Sequence, residues 1–140
     1  MTKNRFIFRA WDKKNKRMLY KIENAYDGGG VADEKGNEVV DCSADCFSYF
    51  FPYDDDKNEE FIVEQCTGLK DKNGRLIYEN DVVSCGFPDI GCVKWKNGGF
   101  WVSGGNYIMP WHFFIANKWE VLGNIHENPE LLEDNNASKN

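Results

Sequence analysis

The sequence predicts a mostly β protein with one short helix, and three observations carry that reading. Short β-rich runs recur along the chain, Asn-Gly and Gly-Gly turns separate them, and only one segment shows a helical period. With 140 residues, 41% hydrophobic and 15% aromatic, the chain has room for one ordinary domain or two small lobes with aromatic-rich cores. We divide it into an N-terminal β region with a short helix and an acidic loop over residues 1–60, a second β lobe over 61–132 and a flexible tail over 133–140.

Phe6, Phe8 and Ala10 alternate with Arg5, Ile7, Arg9 and Trp11, the period of a strand with one buried face. Met18, Leu19, Tyr20 and Ile22 follow a polar connection over Asp12 to Arg17, so the two runs should pair as an antiparallel hairpin. A second hairpin is predicted around Gly36-Asn37, between Val31-Ala32 and Val39-Val40. From Cys42 the period changes: Cys42, Cys46, Phe47, Phe50 and Phe51 share a helical stripe that Ser43 can cap and Pro52 ends. At about two turns, that helix needs its aromatic face packed to persist.

An acidic loop, Asp54, Asp55, Asp56, Glu59 and Glu60 against Lys57, separates the helix from a strand at Phe61 to Cys66. Further strands are predicted at Val82 to Cys85, Cys92 to Trp95, Phe100 to Val102, Tyr107 to Met109 and Trp119 to Leu122. Asn73-Gly74, Asn97-Gly98-Gly99 and Gly104-Gly105-Asn106 punctuate them, a spacing that suits a small barrel or sandwich. Asn128 to Leu132 should form one helical turn ahead of the tail.

Charge narrows the function classes. The net charge of −6 opposes loose binding to nucleic acid or anionic lipid. It is unevenly placed, because the first 21 residues carry eight cations and only Asp12, leaving −13 for the remainder. No run is long and apolar enough to span a membrane and no signal peptide is visible, so a cytoplasmic location without membrane contact is expected. Five cysteines, Cys42, Cys46, Cys66, Cys85 and Cys92, cannot all pair within one chain and are expected as buried thiols.

Catalytic and metal constellations are weak. Asp54, Asp56 and Asn58 begin like a calcium loop, but Glu59 and Gln65 stand where its glycine and bidentate glutamate belong. Cys42 and Cys46 lack a second closely spaced cysteine pair for zinc, and Cys66 with His112 is a chance Cys–His pairing without a local signature. Phosphate-loop, dinucleotide, nucleophile-elbow and His-Glu-x-x-His motifs are absent, so no catalytic residue, metal site or cofactor is assigned. Asn73-Gly74 reads as a tight structural turn, and Asn80-Asp81 as a left-handed position followed by a carboxylate that accepts local backbone N–H groups.

Those residues carry a resemblance. Gln65-Cys66-Thr67-Gly68-Leu69-Lys70-Asp71-Lys72-Asn73-Gly74, then Ile77-Tyr78-Glu79-Asn80-Asp81-Val82-Val83, resembles the central signature of the YopX-like family of phage and prophage proteins. Phe8-Arg9-Ala10-Trp11-Asp12 with Met18 resembles its opening, and the run from Val121 to Leu132 its close. Asn80 replaces a usual Gly and His126 a usual Tyr. The resemblance implies an SH3-like barrel over the C-terminal part, an N-terminal β region, oligomerisation and no established catalytic residues.

The reading is therefore a phage- or prophage-derived accessory protein of the bacterial cytoplasm, a non-enzymatic binding module for a host protein. Trp95, Phe100, Trp101, Trp111 and Phe113 exceed what one small barrel face buries and form the candidate partner patch. The alternative is a nucleic-acid binder using Arg5, Arg9, Lys13, Lys14, Lys16 and Arg17, with Trp11 for stacking. Asp54, Asp55, Asp56, Glu59 and Glu60 are a candidate phosphate-mimicking patch. A small hydrolase and homo-oligomeric self-assembly through the Phe6 and Phe8 face are the remaining readings.

Overall fold

The alternating run β1 (Phe8–Asp12) and the apolar run β2 (Arg17–Tyr20) pair antiparallel, with Ala10 opposite Leu19 and Asp12 opposite Arg17. The computed structural model describes residues 7–27, 30–39, 50, 60–86, 89–104, 108–110 and 118–132. Strand β3 (Phe61–Lys70) pairs with the other side of β1, with Asp12 opposite Phe61 and Arg9 opposite Glu64. Its far end meets β4 (Leu76–Tyr78), so the first sheet runs β2-β1-β3-β4. By internal contacts the chain divides into two compact units, Phe6–Gln65 and a second built on Cys66–Asn140, and β3 contributes residues to each.

In the first unit, Ala10, Leu19, Ile22, Ala25, Val31, Val39, Phe50 and Phe61 form the core. Ile22, placed by its pattern in the second strand, is buried but belongs to a 3-10 helix over Ile22–Asp27. The chain leaves the sheet at Lys21, whose φ of 60° is incompatible with continued extension. The Gly36-Asn37 hairpin closes through one isolated bridge, Ala32 to Glu38, and a second bridge, Tyr20 to Ala32, ties its first arm to the end of β2. The Asp33 carboxylate holds its turn by accepting from Asn37 N and Lys35 N at 2.9 Å each. Of the predicted aromatic helix, Phe50 is helical, buried and 4.7 Å from the Phe61 ring, while Cys42, Cys46, Phe47 and Phe51 lie outside the described residues.

The second unit carries a five-stranded antiparallel sheet ordered β8-β7-β6-β5-β9. Its strands are β5 (Asp81–Gly86), β6 (Asp89–Lys96), β7 (Gly99–Gly104), β8 (Ile108–Pro110) and β9 (Glu120–Asn124). The last strand returns to pair with β5, the first, and the sheet curls into a half-barrel, consistent with a small barrel. Ile77, Val83, Val93, Val102, Trp119 and Val121 fill its concave side, with Phe100 packed against them. Residues 130–132 make the predicted closing helical turn, and the tail lies outside the described residues. No helix among the described residues is long and apolar enough to cross a membrane.

Candidate functional site

The β6–β7 hairpin positions the candidate aromatic patch. Asn97 and Gly98 both have positive φ, 53° and 80°, so this two-residue turn matches the strand twist and fixes the register. Val93 then faces Val102, and Trp95 faces Phe100. Since side chains two apart share a face, Trp95 and Phe100 extend the row begun by the fully buried Val93 and Val102. The core ends beneath that row: Phe100 is half-buried, whereas Trp95 keeps 50% of its surface exposed. The two rings meet edge to face, centroids 4.9 Å apart at 77°, an arrangement their quadrupoles favour. Trp101 lies on the opposite face beside Lys94, half-buried, and its Nε1 donates to the Lys96 carbonyl at 2.9 Å. Trp111 and Phe113 lie outside the described residues.

The basic N-terminal residues separate into groups that the sequence placed together. Arg9 does not join an exposed face. It is 1% exposed and its Nε lies 2.8 Å from Oε1 of the fully buried Glu64, its direct cross-strand neighbour. Alternation predicts one buried face only when a sheet has one covered side, whereas the adjacent Arg9 and Ala10, on opposite faces of β1, are both buried. Trp11 is half-buried between its register partners Met18 and Ile62. Arg17 is partly exposed and donates to Asp12 Oδ2 at 3.1 Å, while Lys13, Lys14 and Lys16 are exposed in the connecting turn. Arg5 lies outside the described residues, as do Asp54, Asp55, Asp56 and Glu59 of the acidic patch. Glu60 is exposed, and its backbone carbonyl accepts from Lys13 N at 3.0 Å.

The chemistry-bearing residues do not converge on a catalytic arrangement among the described residues. Cys66 and Cys92 are buried thiols, whereas Cys85, expected to be buried, is exposed near the end of β5. Gln65 is part of β3, an extended conformation unsuited to the closing position of a calcium loop. His112, Cys42 and Cys46 lie outside the described residues, and His126 is half-buried with its backbone N–H donating to Asn124 Oδ1 at 3.0 Å. No group of three metal-binding side chains is present among the described residues.

The signature carboxylates are instead structural. Asp71 is buried, its Oδ1 accepting from Asn73 N and Arg75 N and its Oδ2 from Val121 N, each at 2.9 Å. Burial pushes this carboxyl up, but the Val121, Arg75 and Asn73 N–H groups outweigh it and hold the group below the usual carboxylate range. The Asp-x-Asn-Gly pattern signals the turn; the reach to Val121, 50 residues on, has no local signal. Asp81 is buried and accepts from Tyr78 N at 2.7 Å, and Asn80 takes the left-handed φ of 70° anticipated for it. Asn80 Oδ1 also receives Lys94 Nζ at 3.2 Å, joining the turn to β6.

Comparison with known proteins agrees with this architecture. The family described as YopX protein matches residues 7–133. The crystal structure of protein EF1440 from Enterococcus faecalis aligns with a TM-score of 0.56 and 26% identity, covering 90% of this chain and 96% of that one. The crystal structure of protein yopX from Bacillus subtilis aligns with a TM-score of 0.50 and 20% identity, covering 94% and 97%, a likeness of fold alone. None of the curated proteins compared matches the chain.

Proposed function

The chain belongs to the YopX family, and from that premise we propose that it is a non-enzymatic accessory protein of phage or prophage origin. On this reading it works in the bacterial cytoplasm by binding a host protein through the aromatic end of the β6–β7 hairpin. The observation that carries the reading is Trp95, a large ring half in water and already braced edge-on by Phe100. An aromatic side chain has two torsions, so a braced one loses little entropy when a partner covers it. Fully burying a large apolar side chain stabilises by about 1.5–3 kcal/mol, so covering the exposed half contributes roughly 1 kcal/mol, with more where the contact is tightly packed. Lys94 and Lys96 alternate to the opposite face, so the neighbour of Trp95 on its own face of the strand is Val93.

Tagged wild-type protein and Trp95→Ser are passed through bacterial lysate with and without nuclease, after circular dichroism shows that both are folded. A host protein that resists nuclease with the wild type and is lost with the variant is the expected result. Identical recovery by both proteins, or recovery that nuclease abolishes, overturns the reading.

A further inference from the structure

We propose that the turn joining β1 to β2 is a contact for the phosphate backbone of nucleic acid, separate from the aromatic hairpin. Its charges are presented by a built turn. The buried Asp12 accepts from Asn15 N at 3.1 Å, Asn15 Nδ2 at 2.8 Å and Arg17 Nε at 3.1 Å. Lys13 N is tied to the Glu60 carbonyl on the neighbouring chain segment at 3.0 Å. Lys13, Lys14 and Lys16 are left projecting into solvent, and among the described residues none of their ammonium groups has an ion-pair partner.

A second observation concerns Lys16 itself, whose φ is 52°. Of the described non-glycine residues with positive φ, Asn80 and Asn97 are the type that tolerates this region, and Lys16 and Lys21 are not. Glycine or asparagine would relieve the strain at residue 16 and complete the same turn. Lys16 and Lys21 share that strain; what sets Lys16 apart is its place in the same four-residue turn as Lys13 and Lys14, where a third charge joins theirs.

The occupant follows from the chemistry offered. Three cations, an asparagine and backbone supply charge without an apolar anchor, so a partner must be recognised by charge density. Duplex DNA carries one charge per about 1.7 Å of axis, which acidic protein segments seldom match. The turn is four residues long, short enough for its lysines to meet neighbouring phosphates of one backbone.

The test is fluorescence anisotropy with a labelled DNA duplex across a salt series, on the full chain. Three lysine–phosphate contacts give a slope of log K against log salt of about −3. Lys16→Gly should reduce that slope by about one while raising the thermal midpoint. Lys21→Gly is the matched control: φ is 60° and the residue is exposed, so the variant loses the same charge and gains stability without changing affinity or slope. Trp95→Ser should bind as wild type does, which separates this surface from the aromatic one. Absence of binding at low salt, equal losses in Lys16→Gly and Lys21→Gly, or loss in Trp95→Ser each overturns the proposal.

Discussion

Replacing Arg9 by methionine should destabilise the first unit by about 3–5 kcal/mol, because it removes the guanidinium that faces the fully buried Glu64 carboxylate. Burial sets the size of the effect: Arg9 is 1% exposed, Glu64 is at 0%, and their charged groups approach to 2.8 Å. Glu64→Leu removes the other half of the pair and should cost a similar amount. The double variant Arg9→Met/Glu64→Leu removes both charges and both desolvation penalties, so it should return to within about 1–2 kcal/mol of wild type. Urea unfolding followed by tryptophan fluorescence and far-ultraviolet circular dichroism measures all four proteins. Agreement of the two probes establishes whether the units unfold together. Against a typical total of about 5–15 kcal/mol, either single change removes a large share of the stability. Single variants that each cost under about 1 kcal/mol, or a double variant whose loss equals their sum, would refute the assignment of Arg9 and Glu64 as a coupled buried pair.

Asp71→Asn replaces an acceptor-only carboxylate that serves three backbone N–H groups, so the Val121 or the turn bonds must be lost, costing about 1–3 kcal/mol in urea midpoint experiments. Because the folded protein holds the Asp71 carboxyl below its ordinary value, the unfolded chain protonates first as pH falls. Asp71's contribution is therefore full above the unfolded value near pH 4 and lost as pH drops through the folded one, and the variant should lack that part of the acid slope. At Gly123 an added Cβ would fall against the Asn128 amide, with Cγ at 2.6 Å, and Asn128 Oδ1 caps Asn124 N at 3.3 Å. Gly123→Ala should cost about 1–3 kcal/mol by thermal melting, and less when Asn128 is already glycine. Gly74→Ala meets no atom within 4 Å yet must hold a φ of 82°, so its cost of about 1 kcal/mol is one of backbone strain, checked by the same melts.

Local patterns made much of this fold legible. Period-two alternation located β1, apolar and β-rich runs located β2 and the strands of the second unit, and Asn-Gly pairs marked the turns at 73–74 and 97–98, because strand conformation and left-handed turns leave direct signatures in residue type. The predicted strand at Phe61 to Cys66 continues to Lys70 because Gly68, at a φ of 87°, lets the ladder shift register between Cys66 and Lys70 instead of ending. The candidate site was less legible. An excess of aromatics over one barrel face is a compositional fact, but which ring stays in water depends on where the core layers stop, and that singles out Trp95 from its cross-strand neighbour Phe100.

By itself the sequence determined the strand periodicity, the turn positions and the three ordered motifs that mark the family, all of which depend on residues near one another in the chain. Only the tertiary structure decided that β1 lies between β2 and β3, 49 residues apart from Asp12 to Phe61, and so turned Arg9 from a solvent-facing cation into half of a buried pair. It likewise decided that Asp71 reaches Val121 and that, of the described candidate cations for nucleic acid, Lys13, Lys14 and Lys16 are the exposed ones. Alternation says which side chains share a face; burial depends on what distant parts of the chain bring against that face.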